Sequence, residues 1–250
     1  MKLESLLQYL EGYLDISGLP DFKQAHNGLQ VEGPAEIAKL GIAVDASERA
    51  IEAAIDAGCD LLLVHHGFFW DREVPIVGRR ARKLRALLTA DMGLYSAHIP
   101  LDGHPEVGNC AVLTRALGWE PAGRFGTFQG YEVGWWAETD EAPEELYERI
   151  STVVGGSIRM ISGGQERIYR CGVVTGAAYT MIKEASDAGL DALITGEGPH
   201  HSYYDAVEYG VTTYYAGHYA TETYGLKALA AHLEERFDLP WLFLDDPSGI

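Results

Sequence analysis

"GIAVDASERAIEAAIDAGCDLLLVHH" at residues 41–66 and "GVVTGAAYTMIKEASDAGLDALITGE" at 172–197 align without a gap. They share nine identities over 26 positions, where unrelated stretches of average composition share about two. Each reads as a short apolar run, a segment of helical periodicity closed by Ala-Gly, then an aspartate and a second apolar run. That is the pattern of a β-α-β unit. Gly58 and Gly189 fall where a helix end favours a residue tolerant of positive φ. The expected fold is α/β, two similar β-α-β-containing halves related by internal duplication. The boundary is placed near residue 120, giving halves 1–120 and 121–250.

The duplication extends beyond the aligned stretch. "LYSAHIPLD" (94–102) follows the first copy and "YYAGHYATE" (214–222) the second, each a β-like run ending in His, three residues, and a carboxylate. Between the copies, "RFGTFQGYEVGWWAET" (124–139) suggests strands and "PEELYERISTVVG" (143–155) a helix. The N-terminal "MKLESLLQYLEGYLD" places Leu3, Leu6, Leu7 and Leu10 at helical spacing with acids between them, unlike an export signal, so a cytoplasmic location is expected.

Functional groups in alternating α/β folds collect at the carboxyl ends of the strands. His65 and His66 end one such run, Asp102 follows another, and His218 and Glu222 follow its counterpart. If the halves are related by an approximate two-fold axis, these edges share a cleft and assemble three imidazoles and two carboxylates. Such donors suit Zn, Mn, Fe, Co or Ni, and five of them, two able to bridge, suit a pair of divalent ions. Adjacent residues of a strand point to opposite faces, so His65 and His66 are expected to serve two neighbouring ions. His218 and Glu222, four apart, would share a helix face. Pro100 argues against a helical chelate of His98 with Asp102, which leaves His98 to orient a ligand or to be structural. Glu197, aligned with His66, is a relic of the same edge, a proton-transfer group or a solvated acid. His104, His200, His201 and His232 receive no role.

Composition narrows the function classes. A formal charge of −18 repels a phosphate backbone. The basic stretch "GRRARKLR" (78–85) reads as the solvated face of a short helix. No apolar run reaches membrane-spanning length. Three cysteines, Cys59, Cys110 and Cys171, lack CxxC spacing and are expected to be buried thiols.

With "NGLQVEG" (27–33), "VHHGFFW" (64–70), "HIPLDGHPEVGN" (98–109), "TGE" (195–197) and "AGHYATE" (216–222) in this order, the whole chain resembles the Nif-three-like family, also labelled GTP cyclohydrolase I type 2 homologs. The resemblance is to the short bacterial form, without the domain that some members insert between the halves. It implies a dinuclear metal protein forming a ring-shaped homohexamer. It also carries the family's ligands onto His65, His66, Asp102, His218 and Glu222. A metal-dependent hydrolase acting on a small molecule follows, by GTP cyclohydrolase-type, phosphoester or amide hydrolysis, with Glu197 or His98 moving protons. The alternative is a non-catalytic metal-binding scaffold or regulatory protein. No phosphate-cradling glycine loop supports nucleotide binding.

Overall fold

The computed structural model describes residues 1–70 and 75–250. The chain divides into two compact units, Met1–Leu101 with Leu226–Asp246, and Asp102–Gly225 with Pro247–Ile250. Each is α/β, so the two similar halves expected from the repeat are present.

In the first unit the strands β1 (Gly28–Val31), β2 (Leu40–Asp45), β3 (Leu61–His66) and β4 (Gly93–Ser96) are joined by β11 (Trp241–Phe243), in the order β1-β4-β3-β2-β11. All neighbours are parallel except β1 on β4. Parallel strands covered on both faces read as unbroken apolar runs, and Leu61 to Val64 are accordingly fully buried. Helix α1 (Leu3–Leu14) buries Leu3, Leu6, Leu10 and Leu14 on one stripe. Helix α2 (Glu48–Asp56) starts at Ser47, whose hydroxyl accepts from Ala50 N. The basic stretch forms α3 (Gly78–Thr89), where Arg82 pairs with Glu48 at 2.7 Å.

The second unit orders its strands β5-β6-β8-β9-β10-β7. The aromatic, glycine-rich stretch is the hairpin β5 (Gly123–Phe128) and β6 (Tyr131–Glu141), turning at Gln129 and Gly130, both with positive φ. Helix α6 (Pro143–Val154) follows and ends at Gly155 in the left-handed region. Strands β8 (Ile168–Val173), β9 (Ala192–Thr195) and β10 (Thr212–Tyr215) are parallel, and β7 (Arg159–Ile161) runs antiparallel on β10. Helix α7 (Ile182–Asp187) lies between β8 and β9, and α8 (Ser202–Tyr209) between β9 and β10.

The repeat preserves register as well as elements. Gly41 faces Leu62 across β2 and β3, and their counterparts Gly172 and Leu193 face each other across β8 and β9. The shared Asp has a structural cause. Asp60 Oδ2 accepts from Ala38 N and Lys39 N, and Asp191 Oδ2 accepts from Tyr169 N and Arg170 N. Each aspartate therefore satisfies two backbone donors where the preceding strand begins. Gly58 and Gly189 both take φ +68°, and each lets its helix close on itself.

The match of His98 with His218 slips by one residue. Ala97 N donates to Val64 O and Ala216 N to Thr195 O, so Ala97 corresponds to Ala216 and His98 to Gly217. Gly217, at φ +92°, absorbs the change in direction that places His218 one position later.

Candidate metal centre

In the first unit, β3 delivers His65 and His66 at its carboxyl end. His65 is fully buried, and its Nδ1–H donates to Ala97 O at 2.8 Å. His66 Nδ1–H donates to Asp45 Oδ1 at 3.0 Å, Asp45 being its register partner on β2. Strand alternation does not carry the two rings apart: their centroids are 4.8 Å from each other. The strand ends at His66, and at the following Gly67 a Cβ would collide with the Gln30 side chain.

His98 joins them after β4. Its Nδ1–H donates to Asp21 Oδ1 at 2.8 Å, and its backbone N donates to Asn27 Oδ1 at 2.8 Å. Ligand atoms of His65, His66 and His98 all lie within 4.8 Å of one another. Pro100 does not prevent helix here: Ile99–Asp102 is a helical turn (α4), and Pro100 sits in its first turn, where no N–H is required.

In the second unit the strand ends are built from glycines. Gly176 (φ +68°) leaves room for the Glu222 carboxylate, which an added Cβ would meet at 2.4 Å. Gly196 leaves room for the backbone of His218, whose Cα a Cβ would meet at 2.6 Å. His218 opens the short helix α9 (His218–Thr221), and Glu222 falls at the break before α10 (Thr223–Phe237). His218 Nδ1–H donates to Glu197 Oε1 at 2.7 Å, and His218 Nε2 lies 3.0 Å from Glu222 Oε1. Burial works against the His218 imidazolium, but hydrogen bonds and charge from Glu222 and then Glu197 outweigh it and push the pKa up to about 9.

Asp102 is buried, and its Oδ1 accepts from Asn109 Nδ2 and Thr175 Oγ1, both at 2.9 Å. Asn109, which opens α5 (Asn109–Ala116), also accepts from Gly225 N, tying the carboxylate to the start of α10.

The donor set fits divalent cations. In each of the four histidines an oxygen holds the Nδ1 proton, so Nε2 is the nitrogen left to coordinate, in His218 once the imidazolium facing Glu222 gives up its Nε2 proton. A buried His/Glu cluster of this kind could bind metal ions. Asp21, Asn27, Asp45, Asn109 and Thr175 support these donors and were not singled out from the sequence. Asn27 and Asn109 do stand inside the motifs NGLQVEG and HIPLDGHPEVGN, and Asp45 is the residue level with His66 on the neighbouring strand. His104, His200, His201 and His232 lie outside these hydrogen bonds to the ligand candidates.

The profile of the Duf34/NIF3 (NGG1p interacting factor 3) family matches residues 1–248. The chain belongs to the NIF3 family. A GTP cyclohydrolase 1 type 2 homolog of Deinococcus radiodurans is 42% identical over 252 residues, covering 99% of this chain and 94% of that protein. Among solved structures, protein ybgI, described as of unknown function, superposes with a TM-score of 0.93 at 35% identity, over all of both chains. TTHA1606 from Thermus thermophilus does so at 0.91 and 39%, again over all of both chains. These NIF3 relatives span the same length, so both units belong to the family's shared architecture. Among the described residues, no helix is long and apolar enough to cross a membrane. The three cysteines are buried free thiols.

Proposed function

We propose that this NIF3-family chain is a divalent-metal-dependent hydrolase whose dinuclear centre is held by His65, His66, Asp102, His218 and Glu222. The observation that carries the reading is the repeated orientation of imidazole, with Nδ1 tied to oxygen and Nε2 presented. Bound there, two first-row divalent ions would supply a water ionised near neutral pH and a Lewis acid to polarise the scissile centre.

The chain's own residues supply orientation and proton transfer. Asp45 and Glu197 fix the tautomers of His66 and His218. Glu197, partly open to solvent, is placed to pass a proton from the site to bulk water. His98, held by Asp21 through Nδ1, has a ligand atom within 4.8 Å of those of the other two imidazoles of its unit. The name carried by the Deinococcus relative directs the reading to hydrolytic opening of a heterocycle, with phosphoester and amide hydrolysis open to the same chemistry. By family resemblance we extend the reading to a cytoplasmic homohexameric ring.

Elemental analysis of protein purified without added metal tests the site. The expected result is about two ions per chain, reduced in His65→Ala and His218→Ala. Turnover of GTP, a phosphodiester and a peptide panel with Zn, Mn or Fe loaded tests the activity. Absence of retained metal, or turnover no higher than that of His65→Ala in every condition, overturns the proposal. Dissociation of the oligomer on chelation, without turnover, would assign the ions a scaffold role.

A further inference from the structure

Two large aromatic side chains stand against the imidazoles of the first unit. Trp70 meets His98 with ring centroids 4.6 Å apart at 90°, and His66 at 5.7 Å and 87°. Phe22 lies 5.9 Å from the His98 ring and 6.4 Å from Trp70. Neither is among the residues of the hydrophobic cluster on one face of this sheet, which is built around residues such as Ala43, Leu62, Val64, Phe68 and Leu94.

Phe22 is 46% exposed, yet it is held in place. Its neighbour Asp21 accepts from His98 Nδ1 at 2.8 Å, Asn27 Nδ2 at 2.8 Å, Ile99 N at 3.0 Å and Phe22 N at 2.6 Å. The carboxylate that orients His98 thus also fixes the backbone of an exposed phenylalanine beside it. Leaving nearly half of a benzyl side chain in water forgoes part of the stabilisation of burying it, and that part is recovered when something apolar covers the exposed side.

We propose that Phe22 and Trp70 form an aromatic platform that seats a flat heteroaromatic ring of the substrate next to the imidazole nitrogens. The proposal rests on the metal-centre reading for what happens to the ring, and on the aromatic pair alone for its binding. A heterocycle satisfies both neighbours at once: its π-face stacks on one of the two rings, which are tilted 50° to each other, and its edge meets the other, while its in-plane nitrogen and carbonyl groups reach the polar side. A sugar phosphate or a peptide backbone has no such face. The chain's charge of −18 also disfavours gripping a substrate through its phosphates.

The test titrates the metal-loaded full-length chain with guanosine, and with ribose 5-phosphate as the non-aromatic comparison, by equilibrium dialysis and tryptophan fluorescence. Guanosine is expected to bind and ribose 5-phosphate not to. Phe22→Ala, at an exposed position, should weaken guanosine at least about five-fold, in line with the worth of base–aromatic stacking. Trp70→Ala should weaken it further, Trp70→Phe should largely restore it, and metal content should stay at the wild-type value in Phe22→Ala. Failure of guanosine to bind with metal intact overturns the proposal, as does unchanged affinity in both alanine variants. A smaller oligomer in Phe22→Ala, with no guanosine bound by wild type, would assign the rings to a contact with a second copy and overturn it too. Guanosine binding by a chain that takes up no metal would leave the platform standing and remove the metal-centre reading.

Discussion

Replacing Asp21 with alanine removes a buried carboxylate that serves four donors: the His98 ring, two backbone amides and the Asn27 side chain. The Asp21 side chain is 7% exposed and that of His98 9%, so water does not readily replace the lost acceptor. Leaving buried donors unsatisfied costs about 1–3 kcal/mol each; with the Phe22 amide able to turn to solvent three donors remain, and the lower part of that range gives a loss of about 3–5 kcal/mol. For a chain of this size that corresponds to a melting temperature lower by about 10 °C. Asp21→Asn discriminates further. Its amide keeps one acceptor and turns an N–H toward a donor partner, so it should recover less than half of the loss. It should also switch His98 toward the tautomer with the proton on Nε2. Calorimetric or circular-dichroism melting of the metal-free protein gives the stability, and the ring ¹⁵N shifts of His98 give the tautomer. A melting temperature for Asp21→Ala within about 2 °C of wild type would refute the reasoning.

Gly196→Ala places a Cβ 2.6 Å from His218 Cα and 2.7 Å from Gly176 O, both backbone atoms, so it should cost about 1–3 kcal/mol and lower cation affinity, read by urea unfolding and metal titration. Gly58→Ala, in open space at φ +68°, should cost only about 1 kcal/mol of backbone strain and leave cation affinity unchanged. In the metal-free protein the His218 pKa of about 9 lies above its ordinary 6.5. The charged imidazolium therefore stabilises the fold fully below about pH 6.5, and that contribution fades as pH rises through about 9. Cation uptake at neutral pH should accordingly release about one proton from His218, measured by calorimetry in buffers of different ionisation heat and absent in His218→Gln. Burial pushes the thiol of Cys110 up to about 12 and raises those of Cys59 and Cys171. The folded protein should therefore react with a thiol reagent far more slowly than the same protein in denaturant; rapid labelling of all three in the folded state would contradict the packing.

The amino-acid sequence by itself determined the β-α-β repeat and its helix-closing glycines. These are local properties, set by periodicity and backbone sterics over a few residues, and duplication wrote them twice. It also placed His65, His66, His98 and Asp102 at the ends or just beyond strands, because strand termini follow from where the apolar runs stop. What fixes the histidines was not legible. Asp21 reaches His98 across 77 positions, and Asn27 does so across 71, from a segment with no repeat and no period. The slip that aligns His98 with Gly217 was equally hidden, since it lies in which carbonyl each strand's last amide finds. The final strand, Trp241–Phe243, pairs with β2 from the far end of the chain. Tertiary structure decided these points because a hydrogen bond between distant segments depends on where the folded chain brings them, and no local pattern of residue types encodes that encounter.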